Sequence, residues 1–322
     1  MMRGRAARPP RPMRAMRRQQ GIALVLALWM LVVLTVIAGS MAYSLRSELQ
    51  VAASHADSAR VEAAADAGVF RAILELARPA TDPARWQGDG MPRTWQMGEI
   101  SLRVVVVDEA AKADLNNAPA ELLKGMFMVQ GIDDPAASAL ADAILDWRDG
   151  DDLRQMNGAE KGEYAAAGKE YGPRNGNFES VEELRLVLGM TEEIFQRVAR
   201  LVSVHSGRQG IDSAVAPREL LLALPGATPE SVDAFVSQRQ ALLAQGLPVP
   251  APPFAPVISA GRLGDTFSIQ VLAILRDNAT FFREAVVRVT PNPSAPFVIL
   301  AWRAPRSGLG IAANPEMQPR QP

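Results

Sequence analysis

Ile22 to Leu45, IALVLALWMLVVLTVIAGSMAYSL, is 24 residues without a charge. At about 1.5 Å per residue it makes a helix of roughly 36 Å, enough to cross a hydrocarbon core of roughly 30 Å. A chain with this run near its start is fastened to a bilayer, and whatever follows lies on one side of it. A secretory signal has an apolar core of only about 7 to 15 residues. This run is longer, although Ala38-Gly39-Ser40 would offer small residues for cleavage. Arg17 and Arg18, just before it, hold the N-terminus in the cytoplasm and direct the body outward. A plain anchor accounts for all of this except Gly21, which stands alone between the basic leader and the apolar run.

Charge divides the chain at the same place. The leader, residues 1–21, has seven arginines and no acid, whereas the formal charge of the whole is −1, so the rest carries −8. An acidic body argues against nucleic acid as a partner, because phosphate binding needs a basic face. There is no cysteine, hence no disulfide and no thiolate metal site. With 322 residues, 48% of them hydrophobic, the chain can build one or two domains with their own cores.

In chain order, Met1 to Pro12 is rich in Arg, Pro and Ala and reads as leader, with Met13 and Met16 as further possible starts. Beyond Leu45 apolar residues recur at steps of three and four: Leu49, Ala52, Ala56, Ala59, Ala63, Ala67, Phe70, Leu74 and Ala77. That spacing predicts one helix from Ile22 to Arg78, with this stripe packed on a soluble body; a break near Gly39 is the alternative. Residues 80–97 read as a loop. Glu99 to Asp108 has Ile100, Leu102, Val104 and Val106 at period two and reads as a strand.

From Ala110 to Leu247 the pattern is helical and repeats itself. Asp114-Leu-Asn-Asn-Ala-Pro-Ala-Glu-Leu-Leu123 recurs as Asp212-Ser-Ala-Val-Ala-Pro-Arg-Glu-Leu-Leu221, each followed by a glycine turn (Gly131, Gly226) and another helix. Asn177 to Thr191 reads as a further helix, turn and helix. Such hairpins resemble helix-hairpin-helix and sterile-alpha-motif-like families, some of which hold DNA phosphates at glycine turns. A membrane-tethered nucleic-acid binder of a competence-like system is therefore the alternative function. The turns oppose it: Asp133, Asp134 and Glu230 would face the phosphates, with no lysine or arginine adjoining. Pro248 to Pro256 is a stiff connector. Phe267 to Leu275, a turn at Arg276–Ala279, a partner strand through Ala285, Val287 and Val289, and Phe297 to Trp302 form an antiparallel meander that the strand at Glu99–Asp108 can join. Arg306 to Pro322 reads as a disordered tail.

Two clusters carry candidate chemistry. Asp146-Trp147-Arg148-Asp149-Gly150-Asp151-Asp152, followed by Glu160 and Glu163, could supply the oxygen ligands that Ca²⁺ requires. The spacing is not that of an EF-hand, since Leu153 falls where the third oxygen ligand belongs; a solvated acidic loop is the alternative. The calcium candidates are Asp149, Asp151, Asp152 and Glu160. The two histidines, His55 and His205, stand apart from any nucleophile or carboxylate constellation, so the chain does not read as an enzyme.

Gly21 followed by Ile22, with Arg17 and Arg18 before them, resembles the leader of type IV prepilins and pseudopilins. The leader, the long helix and following strand, the helical insertion with Leu145-Asp-Trp-Arg-Asp149 and Asn157-Gly-Ala-Glu160, the segment Phe178-Glu-Ser-Val-Glu-Glu-Leu-Arg185, then Ala216-Pro217 and a last strand ending Ala301-Trp-Arg303 resemble the K-type minor pseudopilins of type II secretion, also called general secretion pathway protein K. Two places depart from that pattern. Ala214-Val215-Ala216-Pro217 stands for Asn-Thr-Ala-Pro, and no proline follows Asp152.

The resemblance implies an α+β fold in which a pilin-like helix packs on an antiparallel sheet interrupted by an all-helical domain. The expected parts are a leader (1–21), a transmembrane half-helix (22–45), the rest of the helix with loop and first strand (46–109), the helical insertion (110–247), linker and last strands (248–304) and a tail (305–322). It implies cleavage by prepilin peptidase between Gly21 and Ile22, methylation of the new N-terminus, and a place in the inner membrane with the body in the periplasm. It also implies assembly on the inner-membrane secretion platform with I-type and J-type minor pseudopilins at the tip of the pseudopilus. Leu26, fifth after the cleavage, stands where pilin-like subunits usually have a glutamate.

Overall fold

The computed structural model describes residues 20–79, 81–247, 249–254, 265–275 and 279–304. The leader as far as residue 19, parts of the proline connector, the turn at 276–278 and the tail from 305 lie outside them. The chain divides into two units, 1–57 and 58–322. In the first, helix α1 (Gln20–Leu76) begins and passes Gly39 without a break. A Cβ at Gly39 would meet nothing within 4 Å.

In the second unit the last turns of α1 lie on a five-stranded antiparallel sheet: β1 (Arg93–Met97), β2 (Ile100–Asp108), then, after the helical region, β5 (Thr266–Leu275), β6 (Ala279–Val289) and β7 (Phe297–Arg303). Their order is β1-β2-β5-β6-β7, so β2 pairs with a strand from the far side of the insertion, Val104 opposite Val271. One face of β2, β5 and β6 is apolar and buried against the helix: Leu102, Val104 and Val106, Ile269 and Val271, Ala285 and Val287. Each such side chain contributes about 1.5–3 kcal/mol by leaving water. Gly68 brings the helix close; a Cβ there would be 2.7 Å from Val271 Cγ1.

The helix presents a different stripe from the one its spacing implies. Val61, Ala65, Val69, Ala72, Ile73 and Leu76 are buried, whereas Phe70 and Leu74 are 46% and 68% exposed. Both stripes are apolar, and the buried one has the β-branched and longer side chains that fill a sheet surface. Phe70 lies over the sheet edge instead, its ring 6.4 Å from Phe297 and 5.9 Å from Trp302. Arg283 of β6 fastens the same helix through Glu62 at 2.9 Å and Asp66 at 2.6 Å. The loop expected at 80–97 contains β1, an edge strand with little buried surface.

Between β2 and β5 lies the helical region: β3 (Ala113–Asp114), α2 (Ala120–Val129), α3 (Asp134–Arg148), α4 (Lys161–Ala166), α5 (Glu192–Val198), β4 (Val202–Ser203), α6 (Arg218–Leu222) and α7 (Pro229–Ala244). The two tiny strands pair in parallel. The helix expected after Asn177 is a 3-10 turn, Val181–Leu186. Its own core includes Leu115, Phe127, Ile144, Trp147, Tyr164 and Leu221. The two sequence-related stretches have the same local geometry. Asp114 Oδ1 accepts from Asn116 N and Asp212 Oδ1 from Ala214 N. Pro119 and Pro217 are N-caps with ψ of 158° and 154°. Gly131 and Gly226 turn the chain with φ of 85° and 78°.

Candidate functional sites: the membrane helix and the acidic loop

Gly21, Ile22 and Leu26 all lie within α1. Ile22 and Leu26 are 64% and 61% exposed, as apolar side chains are when lipid is their solvent. Two hydroxyls of α1 are bonded within the helix, Thr35 Oγ1 to Leu31 O at 2.8 Å and Ser40 Oγ to Ile37 O at 2.9 Å. By length and composition this helix is able to cross a membrane.

The acidic loop follows α3. Asp146, in the last turn of that helix, is fully buried, and its Oδ1 accepts from Gln155 N at 3.0 Å. Its Oδ2 has no protein partner; neither have Asp149 Oδ1 nor either oxygen of Glu160, although all are buried. Gly158 permits this closeness, since a Cβ there would be 1.9 Å from Asp146 Oδ2. Asp151 and Asp152 are exposed on the same loop. Asp151 Oδ1 accepts from Leu153 N, and Asn175 Nδ2 donates to Asp152 Oδ1 at 3.1 Å.

Burial, with Asp146, Asp149, Asp152 and Asp151 around it, pushes the Glu160 carboxyl up to about 7. Burial likewise raises Asp146 and Asp149. The neighbouring cations, Arg148 for Asp149 and Arg154 for Asp146, relieve them only in part. Arg148 turns away, donating to Leu115 O at 2.6 Å and Ala118 O at 2.9 Å, and Arg154 pairs with Glu163 at 2.8 Å.

Buried carboxylate oxygens without donors leave negative charge uncompensated, a donor set suited to a hard divalent cation. Among the described residues no three acidic or histidine side chains are already gathered as a metal-ligating group. Ligation thus requires an exposed carboxylate, of Asp151 or of Asp152, to turn inward. Of the four candidates, the structure brings Asp149 and Glu160 together as buried, unpartnered groups and leaves Asp151 and Asp152 at the rim. It adds Asp146, which opens the acidic stretch in the sequence but is not among the four candidates. The signal available was Asp142 and Asp146 at i, i+4, on the face that the loop crosses.

At the first glycine turn the structure does place a cation. Arg197 of α5 donates to Gln130 O at 3.0 Å, and its charge is met by Glu193. The expectation of no adjoining basic residue holds along the sequence and fails in space, because α5 is remote in sequence.

A cleft of about 710 Å³ separates the helical region from the sheet. On its floor Glu109, 2% exposed, accepts from Lys112 Nζ at 2.6 Å and from the hydroxyls of Ser203 and Ser268. His205 is half-buried at its wall, and burial lowers its imidazole. His55 is exposed on α1.

Residues 100–207, from β2 through the acidic loop to the end of β4, match the family model described as type II secretion system (T2SS), protein K. Type II secretion system protein K of Klebsiella pneumoniae is 28% identical over 69% of this chain and 80% of its own. A putative type II secretion system protein K of Escherichia coli K12 is 26% identical over 58% of this chain and 62% of its own. The protein K of Dickeya chrysanthemi is 34% identical over a shorter stretch, 26% of this chain and 23% of its own. In fold the chain is similar to the crystal structure of the GspK-GspI-GspJ complex from the type 2 secretion system of enterotoxigenic Escherichia coli, with a TM-score of 0.55 and 18% identity over 81% of this chain and 99% of that one. Sequence and fold thus agree in a likeness to type II secretion system protein K, which the family model finds over residues 100–207.

Proposed function

We propose that this chain is the minor pseudopilin at the tip of a type II secretion pseudopilus, where it initiates or caps assembly. The helical region inserted between adjacent strands β2 and β5 carries this reading. A body of that size on one subunit obstructs the stacking of another upon it. Leu26 supports the same placement. A carboxylate near the middle of a bilayer costs about 2.5–3.5 kcal/mol on insertion scales and needs a partner, such as a neighbour's free amine. A subunit with leucine there can offer its own amine to the next subunit but captures none. The chain is anchored in the inner membrane with its body in the periplasm, after prepilin peptidase cuts between Gly21 and Ile22, and it docks on the inner-membrane platform. Its partners are I-type and J-type minor pseudopilins, the chemistry named by the complex of its structural neighbour.

The test is co-purification of the full chain from detergent with candidate I-type and J-type subunits, together with counting copies per filament. One copy at an end, bound to both, is the expected result. Copies along the shaft in numbers comparable to the major subunit would overturn the placement.

We further propose that the acidic loop takes one Ca²⁺ through Asp146, Asp149 and Glu160, with Asp151 or Asp152 from the rim. The orphaned buried oxygens support this. Bound there, the ion neutralises the loop and fastens it to the end of α3. With free Ca²⁺ at 100 times its dissociation constant, the folded state gains about 2.7 kcal/mol, seen as a thermal shift that chelator reverses. No shift would leave the cluster a solvated loop.

A further inference from the structure

Asn175 is the one non-glycine among the described residues with positive φ, at 52°. Asparagine tolerates that region better than most residues, but the conformation is uncommon and persists only where surroundings impose it. Here they do. On its N-terminal side Arg174 is held by Glu183 at 3.1 Å and by Glu179. On its C-terminal side Gly176 N donates to Trp147 O at 3.3 Å, and Phe178 exchanges two bonds with the side chain of Asn116, at 2.7 and 3.1 Å. The strap from 174 to 178 is therefore fixed to the helical core at both ends.

From that strap the Asn175 amide reaches back to the acidic loop, donating to Asp151 O at 3.3 Å and Asp152 Oδ1 at 3.1 Å. Asn175 is neither acidic nor near the loop in sequence, and its two bonds fall on the backbone and side chain of the two residues that offer the rim ligand. Resting on the calcium reading above, we propose that Asn175 is the positioning residue of the cation site. It does not ligate the ion. It holds the backbone at Asp151 and one oxygen of Asp152, so that the rim closes on the buried carboxylates with little loop entropy left to lose.

Groups that orient metal ligands typically change affinity by about 10–100-fold when removed. Asn175→Gly keeps the backbone free to adopt positive φ and deletes only the amide. The experiment is calorimetric titration of the full chain in detergent with CaCl₂, for the wild type, Asn175→Gly, Asp152→Ala and the double variant, with metal-free melting of each. Expected are an affinity loss of about ten-fold for Asn175→Gly, unchanged metal-free melting, and a loss under about three-fold when the same change is made in the Asp152→Ala background, because the residue acts through Asp152. Wild-type affinity in Asn175→Gly, or equal losses in both backgrounds, overturns the positioning role and leaves the calcium reading standing. A wild-type chain that binds no Ca²⁺ sinks both. If Asn175→Gly fails to fold, Asn175→Asp replaces it: the backbone preference is kept, the donor is lost, and tighter or equal binding counts against the proposal.

Discussion

Arg239 stands to the turn at Ser213–Ala216 as Arg148 stands to the turn at Leu115–Ala118. Each reaches two backbone carbonyls, Arg239 at 2.8 and 2.7 Å and Arg148 at 2.6 and 2.9 Å. Each comes from the second helix of its hairpin, and each turn opens on an aspartate. Burial lowers both guanidinium groups below their ordinary value, but charged donors to carbonyls remain worth keeping. Arg148 uses both terminal nitrogens, a fork that lysine cannot reproduce, whereas both Arg239 bonds come from Nη1 at the end of a longer, planar group. Arg148→Lys and Arg239→Lys should each lower stability by about 1.5–3 kcal/mol in denaturant melts. A cost below about 0.5 kcal/mol for both would show that the latches are idle.

Gly125 of α2 lies against the backbone of α6, where an added Cβ would be 2.1 Å from Ala223 O. Backbone cannot move aside as a flexible side chain does. Gly125→Ala should destabilise the fold by about 1–3 kcal/mol through overpacking. Gly162→Ala, in α4 with nothing within 4 Å, should be neutral or gain up to about 1 kcal/mol of helix propensity. Equal melting of the two variants would mean that α2 and α6 do not pack so closely.

Glu109 sets an acid limit. Burial pushes its carboxyl up, but Lys112 beside it and the hydroxyls of Ser203 and Ser268 outweigh that and hold it below the ordinary value. A depressed carboxylate adds stability that is complete above the unfolded pKa and is lost as pH falls through the folded one. Stability should therefore decline as pH drops below about 4.5, and Glu109→Gln should flatten that acid limb while costing stability at neutral pH. Parallel acid limbs in variant and wild type would assign the decline to other groups.

Glu160 has the opposite sign. Its raised carboxyl, near 7, disfavours the folded state increasingly as pH rises from the unfolded value through the folded one. Glu160→Gln should raise metal-free melting at pH 8, by about 2–4 °C per kcal/mol relieved, and abolish the calcium-dependent shift. Melting that falls, or a shift that survives, would remove Glu160 from the site.

At the membrane end, intact-mass analysis of extracted protein should find an N-methylated Ile22 as first residue. An uncut leader would mean a plain anchor, and a cut after Ser40 a signal peptide. Leu26→Glu should leave co-purification with the I-type and J-type partners intact while altering the onset of filament growth. Unchanged initiation would detach Leu26 from the tip assignment.

What the sequence disclosed depended on how local each signal was. The uncharged run, the alternation in β2, β5 and β6 and the recurring Ala-Pro-X-Glu-Leu-Leu stretches are contained within single elements, and they mark those elements directly. β1 was missed because Arg93–Met97 is an edge strand that buries little on either face, so no alternation is written into it. The buried face of α1 was misassigned because alanines make two of its faces equally apolar, and only the sheet opposite chooses between them. In the acidic loop the charge was plain from composition. The burial of Asp146 and Glu160 depends on Gly158 crossing α3, and Asn175 joins from a strap more than twenty residues away; neither crossing leaves a local pattern.

The strand order has a consequence for synthesis. β2 is made early, yet its partner on the inner side, β5, is translated only after the whole helical region, and β6 and β7 later still. During synthesis the β1–β2 hairpin must wait with one long edge open, the kind of edge that pairs with wrong chains. The helical region is one continuous stretch of chain, whereas the sheet pairs strands from either side of it and closes only when both are made. Completion of this fold is therefore timed by the arrival of its last strands, and until then the turns of α1 from Val61 to Leu76 have no sheet to lie on.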